Sequence, residues 1–256
     1  MNLGVCRMVL RPRGPLESLD LGVRLSRAWW RPTAAMAAVA LVPAWAACTA
    51  LAWALGWHWA TALAPLALGP LLQPAFTLLF GRLLFAEDVS AAALRHALRE
   101  RVGSWALAAG LGWGGALFAA LSCGTLTAPL ALGLLYVQEC AILERVPGDR
   151  AIRRSLRLSG GHTANAVAGG LGSWLLTAWI AGTLESSGQA LLGPILQTEW
   201  VVPNVWAAQC GPLLIAGLLA SHPVWALWRL LLYVDVRTRV EGWDLQVGLR
   251  AAGLER

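Results

Sequence analysis

An all-α fold, polytopic in the membrane with six transmembrane helices and amphipathic helices along the cytoplasmic interface, is predicted by three features of these 256 residues. Hydrophobic side chains make up 57% and charged ones 13%, whereas a soluble domain carries about a quarter charged residues. The apolar residues fall into blocks of about twenty, the length with which an α-helix crosses about 30 Å of hydrocarbon while satisfying its own backbone. The cations, all of them arginines, collect in alternate connecting segments. A β-barrel would need alternating apolar and polar positions in segments of about ten residues, and Leu/Ala/Gly/Pro runs such as residues 63–72 show no such alternation.

Residues 1–34 contain Arg7, Arg11, Arg13, Arg24, Arg27 and Arg31 without a long apolar run. They read as a cytoplasmic segment with an interfacial helix rather than a secretory signal. The membrane domain then occupies residues 35–234 and a cytoplasmic tail residues 235–256. Its first span runs from Ala35 to about Leu55, and Trp57, His58 and Trp59 form a minimal turn. A second span from about Ala60 to Phe85 carries Pro65, Pro70 and Pro74, which membrane helices tolerate where neighbours re-satisfy the backbone. After a polar segment from Glu87 to Arg101, Val102–Leu121 and Gly124–Leu143 form a tight pair separated by Ser122 and Cys123. Glu144 to Asn165 is polar again, and Ala166 to about Leu184 is the fifth span. Gln189 to Pro203 is expected to lie along the outer surface, before a last span at about Ala207 to Val234. A span ending near Ala220, followed by an interfacial helix carrying Trp225 and Trp228, fits the same residues.

Direction follows from the arginines. Of the 20 cationic residues, six lie before the first span, four between Arg82 and Arg101, five between Arg145 and Arg157, and five from Arg229 onward. The opposite loops carry only Glu185 and Glu199. The positive-inside rule is obeyed by every loop, which places both termini in the cytoplasm. The net charge of +6 then describes a face apposed to anionic lipid headgroups, which attract each such residue by about 1 kcal/mol. Nucleic-acid binding is not required to explain it. The absence of lysine beside abundant Ala, Arg, Gly and Trp points to a GC-rich bacterial genome, and hence to the inner membrane of a bacterium.

Each pair of spans is preceded by a segment of helical apolar and arginine spacing: residues 19–30, 90–105 and 149–158. Such segments are expected to lie in the headgroup plane, with leucines and Trp29, Trp30 or Trp105 toward the acyl chains. Three repeated hairpin units would produce this rhythm, and so would the general tendency of connecting loops to collect arginines.

Little in the sequence points to catalysis. Cys6, Cys48, Cys123, Cys140 and Cys210 stand apart without zinc-ligand spacing. Cys123 and Cys210 could pair in an oxidising compartment or remain small buried residues. His58, His96, His162 and His222 form no metalloprotease pattern, and no nucleophile elbow is present. Gly160-Gly161 reads as the stop of an arginine-rich helix. No cofactor and no enzymatic activity are expected. The ionisable residues inside predicted spans are Glu139 and Arg229, at similar depth near the cytoplasmic side. A charge at mid-membrane costs about 2.5 to 3.5 kcal/mol or more, so either they pair, locking the fourth span to the last, or each snorkels separately to the interface. Gly110, Gly112, Gly114 and Gly115, with Gly169, Gly170 and Gly172, are expected to permit close helix approach. Most of the 15 tryptophans fall near span ends, where an aromatic belt anchors the protein.

The densest motif is Tyr233-x-Asp235-x-Arg237-x-Arg239-x-Glu241-Gly242-x-Asp244-Leu245. On a helix, Asp235 with Arg239 and Arg237 with Glu241 are i,i+4 ion pairs, and Gly242 terminates the run. This motif, with Pro147–Gly161 ahead of the fifth span, resembles bacterial multi-spanning proteins related to the membrane domain of glycerophosphoryl diester phosphodiesterases. Val236, Thr238 and Gly161-His162-Thr163 depart from that pattern. The resemblance implies a membrane domain only, since the phosphodiesterase chemistry of such proteins belongs to a separate soluble domain. A stand-alone membrane partner or scaffold for another envelope protein is therefore the expected role. The competing expectations are a transporter or channel for a small or lipidic solute, prompted by proline-broken spans, and a lipid-active enzyme with dispersed residues.

Overall fold

The computed structural model describes residues 11–85, 89–121, 135–144, 146, 148–160, 163–196 and 203–242. Among them every helix or strand element named is helical. In chain order these are α1 (Pro15–Ala28), α2 (Trp30–Ala54), a 3-10 turn (Trp59–Ala62), α3 (Leu63–Ala67), α4 (Gly69–Leu84), α5 (Ala91–Glu100), α6 (Val102–Leu121), α7 (Val137–Leu143), α8 (Gly148–Gly160), α9 (Thr163–Leu196) and α10 (Pro212–Glu241), with a second 3-10 turn at Val205–Ala207. Four stretches are long and apolar enough to cross a membrane: Trp30–Ala54, the interrupted Trp59–Leu84, Val167–Leu192 and Pro212–Glu241. The expected third span is helical as α6. Most of the expected fourth lies outside the described residues, and its end appears as α7.

Helix α10 is the axis of the bundle. The apolar stretch of α10 is 67% buried and that of Trp59–Leu84 56%, against 22% for α9 and 6% for α2. Helices α1, α2, α4 and α9 pack around α10, while α4 also meets α6 and α7, and α7 meets α8. The outer helices leave Val39, Val42 and Trp53 of α2, and Leu171, Trp174, Leu175 and Trp179 of α9, exposed. Side chains of this kind on a spanning helix face hydrocarbon.

Two boundaries differ from the expected ones. Residues after Leu184 do not turn along a surface, because α9 continues to Leu196. Three of its polar side chains donate within the helix: Gln189 donates to Glu185 at 2.6 Å, and the Ser186 and Ser187 hydroxyls donate to the carbonyls of Gly182 and Thr183 at 2.7 and 2.5 Å. At 34 residues and about 1.5 Å rise each, α9 is longer than a perpendicular crossing requires. Helix α10 starts at Pro212, not Ala207, and runs without a stop through His222-Pro223 to Glu241. The reading with a helix end near Ala220 is thereby excluded. Packing on its surrounding helices outweighs the backbone bond that Pro223 forfeits.

Trp29 also departs from expectation. Only 8% exposed, it stacks on Phe80 with centroids 6.4 Å apart, while Leu19, Leu21 and Leu25 of α1 pack against the core. Trp105 is half-buried and donates its indole N–H to the Leu71 carbonyl at 2.9 Å, whereas Trp30 remains exposed. An amphipathic face has the same period whether protein or lipid covers it. Trp228 is likewise no anchor: it is 5% exposed and lies across Gly172 of α9, where a Cβ would collide with the indole ring. At Gly217 of α10 a Cβ would sit 2.6 Å from Ala181 Cα, so α9 and α10 meet backbone to backbone. Gly110 and Gly114 of α6 meet nothing within 4 Å among the described residues; the residues of the expected fourth span that would face them lie outside the described residues.

The two ends of the bundle differ in chemistry. At one, Gly56 and Trp57 adopt positive φ of 73° and 61° to turn the chain, and Cys210 N–H donates to the Trp57 carbonyl at 3.0 Å. Trp45 ties α2 to the start of α10 through the Pro212 carbonyl at 2.8 Å. Cys48 and Cys210 are buried there as free thiols; Cys123, and with it the Cys123–Cys210 pairing, lies outside the described residues. At the other end the arginines gather: Arg101 donates to the Ile142 carbonyl at 2.9 Å, and Arg13, Arg154, Arg237 and Arg239 meet around the end of α10.

Candidate functional site

Two polar groupings sit on α10, one inside the bundle and one at its arginine-rich end. In the interior, Arg229 Nε donates to Glu139 Oε1 of α7 at 2.7 Å. The same guanidinium donates from Nη2 to the Gln138 carbonyl oxygen and from Nη1 to that of Gln73, the latter at 3.4 Å. Glu139 is fully buried and Arg229 is 7% exposed. Separate snorkelling is thus not what the side chains do. A planar fork of donors suits this arrangement, since one guanidinium can serve a carboxylate and two amides at once.

The interior grouping extends along α10. Gln73 Nε2 lies 3.5 Å from His222 Nδ1, and His222 Nε2 lies 2.9 Å from the Pro65 carbonyl oxygen. The carbonyl accepts, so Nε2 carries the proton and Nδ1 accepts from Gln73. The break between α3 and α4 brings that carbonyl to the ring, and Gly69 leaves room for it: a Cβ there would lie 3.0 Å from His222 Cε1. A hydrogen-bonded series therefore runs Pro65, His222, Gln73, Arg229, Glu139. Glu139 Oε2 alone of this group is buried with no partner among the described residues.

At the arginine-rich end, Tyr233, Arg237 and Glu241 continue the four-residue spacing begun by Arg229. Arg229 faces α7 and α4, and the other three face the end of α7 and α8. Tyr233 donates its hydroxyl to Glu144; Arg237 lies 3.3 Å from Glu144 and 2.6 Å from Glu241. Arg154 of α8 closes the ring, 2.7 Å from Glu144 and in contact with Glu241. Burial disfavours the charge of Arg154, but its hydrogen bond to Glu144 and the charges of Glu144 and Glu241 outweigh that and raise its pKa above the ordinary guanidinium value. Two arginines and two glutamates neutralise one another.

Asp235 and Arg239 lie on a different face and hold the N-terminal segment. Arg13 N–H donates to Asp235 Oδ1 at 2.5 Å, Arg239 Nη2 donates to the Arg13 carbonyl at 2.7 Å, and Arg239 Nε lies 3.0 Å from Asp235 Oδ2. Gly242 ends α10 with φ 60°. Asp244 lies outside the described residues. Substituting Asp235 with alanine is expected to release the segment. Trypsin should then cut after Arg13 several-fold faster, with about 1 to 3 kcal/mol of stability lost through the unpaired buried groups. An unchanged digestion rate would show that the strap does not depend on Asp235.

The structure thus brings together Gln73, Gln138, Glu139 and Arg229, and places Asn204 and Gln209 elsewhere, in the opposite turn, where the Asn204 side chain accepts from Ala207 N–H. His222, Glu144, Arg154 and Tyr233 were not evident as partners from sequence. The spacing of 229, 233, 237 and 241 was the available signal for the α10 stripe. Among the described residues no three His, Cys, Asp or Glu side chains group as a metal site. No family model, curated protein or solved structure matches this chain.

Proposed function

We propose that the chain is a six-span inner-membrane protein of a bacterium that acts as a non-enzymatic partner or scaffold for another envelope protein, a relative of the membrane domain it resembles. Both termini then lie in the cytoplasm, with the arginine-rich end against anionic headgroups. One observation carries this reading: the polar side chains on the inner stripe of α10 are engaged in fastening helices to one another, from Arg229 with Glu139 to Arg237 with Glu144. A guanidinium bonded to a carboxylate and two amides is an anchor, and moving it would strand a buried charge. What remains for recognition are the apolar flanks of α2 and α9 and the basic end.

A transporter is the second reading, favoured by Glu139 Oε2, which has no partner among the described residues, at one end of the series from Pro65 to Arg229. The protein, extracted in mild detergent with its native lipids after photo-crosslinking from Trp53 or Trp174 positions, separates the two. A single stoichiometric protein adduct supports the scaffold. A retained solute without protein, released by Glu139→Gln, supports transport and removes the scaffold reading.

A further inference from the structure

We propose that the arginine face of α8 is a binding site for the phosphate of an anionic phospholipid headgroup. Arg150, Arg153, Arg154 and Arg157 fall at i, i+3, i+4 and i+7, one side of the helix. With Val146 and Asp149 they line a recess of about 500 Å³, within the range of pockets that hold small ligands. The opposite side of α8 is held: Ala151, Ser155, Leu158 and Ser159 are buried, and the Tyr136 N–H donates to Ser155 Oγ at 3.2 Å. The arginines therefore project from a fixed support.

Their charges are unequally engaged. Arg154 is neutralised by Glu144 and Glu241, and Arg153 lies 3.1 Å from Asp149. Arg150 and Arg157 are exposed and have no carboxylate among the described residues. Two guanidiniums left unpaired on either side of a rigid third are suited to the oxygens of one phosphate, to which arginine donates in a fork. Val146 is the apolar residue lining the recess, and Leu156, 47% exposed, follows on the adjoining side of the helix. An apolar rim beside the cations distinguishes a phosphate carried on acyl chains from one free in water, and basic pockets at the cytoplasmic ends of spanning helices bind such headgroups. The site stands whichever role of the whole chain holds, since it needs only α8 beside a lipid surface.

The test uses the full chain, delipidated in neutral detergent and titrated with short-chain phosphatidylglycerol or phosphatidylcholine, with bound lipid counted by native mass spectrometry. Phosphatidylglycerol is expected to bind the unaltered protein at least about tenfold more tightly than it binds the Arg150→Gln/Arg157→Gln variant, and phosphatidylcholine is expected to show no such difference. The unfolding midpoint of the variant should be unchanged, because neither arginine is part of an ion pair among the described residues; Arg150→Lys/Arg157→Lys, which retains charge without the fork, should fall between. Equal phosphatidylglycerol binding by unaltered protein and Gln variant overturns the site. Displacement of the lipid by millimolar inorganic phosphate would overturn the lipid source and assign the recess to free phosphate. A failure here leaves the crosslinking result untouched.

Discussion

Arg229→Leu is expected to cost about 3 to 5 kcal/mol, the penalty for leaving one partner of a buried ion pair uncompensated. Glu139 is fully buried beside it, and its second oxygen is already without a partner among the described residues. Gln138 and Gln73 would lose their donors in the same step. Glu139→Gln should be milder, since Arg229 keeps three amide oxygens to donate to. Replacing both with a neutral pair of similar volume should cost less than the sum of the single changes, by more than 1 kcal/mol, because residues in one network couple. Exchanging the two charges should recover part of the folded yield lost in either single variant. The measurement is the unfolding midpoint in detergent for the four proteins of the cycle. Strict additivity, or no recovery on exchange, would mean that the 2.7 Å contact does not lock α10 to α7.

Glu144→Ala is expected to have the next largest effect, about 3 kcal/mol, because one carboxylate serves three donors from two helices: Arg154, Arg237 and Tyr233. The Glu144 and Arg237 side chains are each 12% exposed, so water can relieve little of the loss. Glu144→Gln should retain the Tyr233 bond and about half the stability. Arg153→Ala serves as the control. Its pair with Asp149 spans 3.1 Å but is 77% and 63% exposed, and such pairs contribute about 0.2 to 1 kcal/mol. The contrast should persist in high salt, which screens exposed charges more than enclosed ones. If Glu144→Ala and Arg153→Ala shift the midpoint equally, the ring at the end of α10 is a surface feature without structural weight.

Some of this was legible in the chain. The apolar run from Ala35 is helical as α2, the turn at Trp57 is a turn, and Gly160 ends the arginine-rich α8. Asp235 with Arg239 and Arg237 with Glu241 pair within α10, and Gly242 caps it. Each of these depends on residues within about one helical turn of one another. The similar depth of Glu139 and Arg229 was readable too, because depth follows from distance along a helix to its charged end. The extent of α9 beyond Leu184 was not. Serines and a glutamate look like a loop until their i,i+4 bonds are drawn.

The sequence by itself determined that the chain is helical, that several of its helices can cross a membrane, and where a helix would cap, since length, hydropathy and i,i+4 spacing are local properties of the chain. Only the tertiary structure decided that α10 is the axis and that Trp29 and Trp228 are core residues. Tertiary packing also chose Gln73, Gln138 and Glu139 as the company of Arg229, and Arg13 as that of Asp235. The physical reason is that an apolar face or a buried charge states that it must be covered or neutralised. Which of the chemically equivalent surfaces and counter-charges does so is settled by packing between segments about 90 to 220 residues apart.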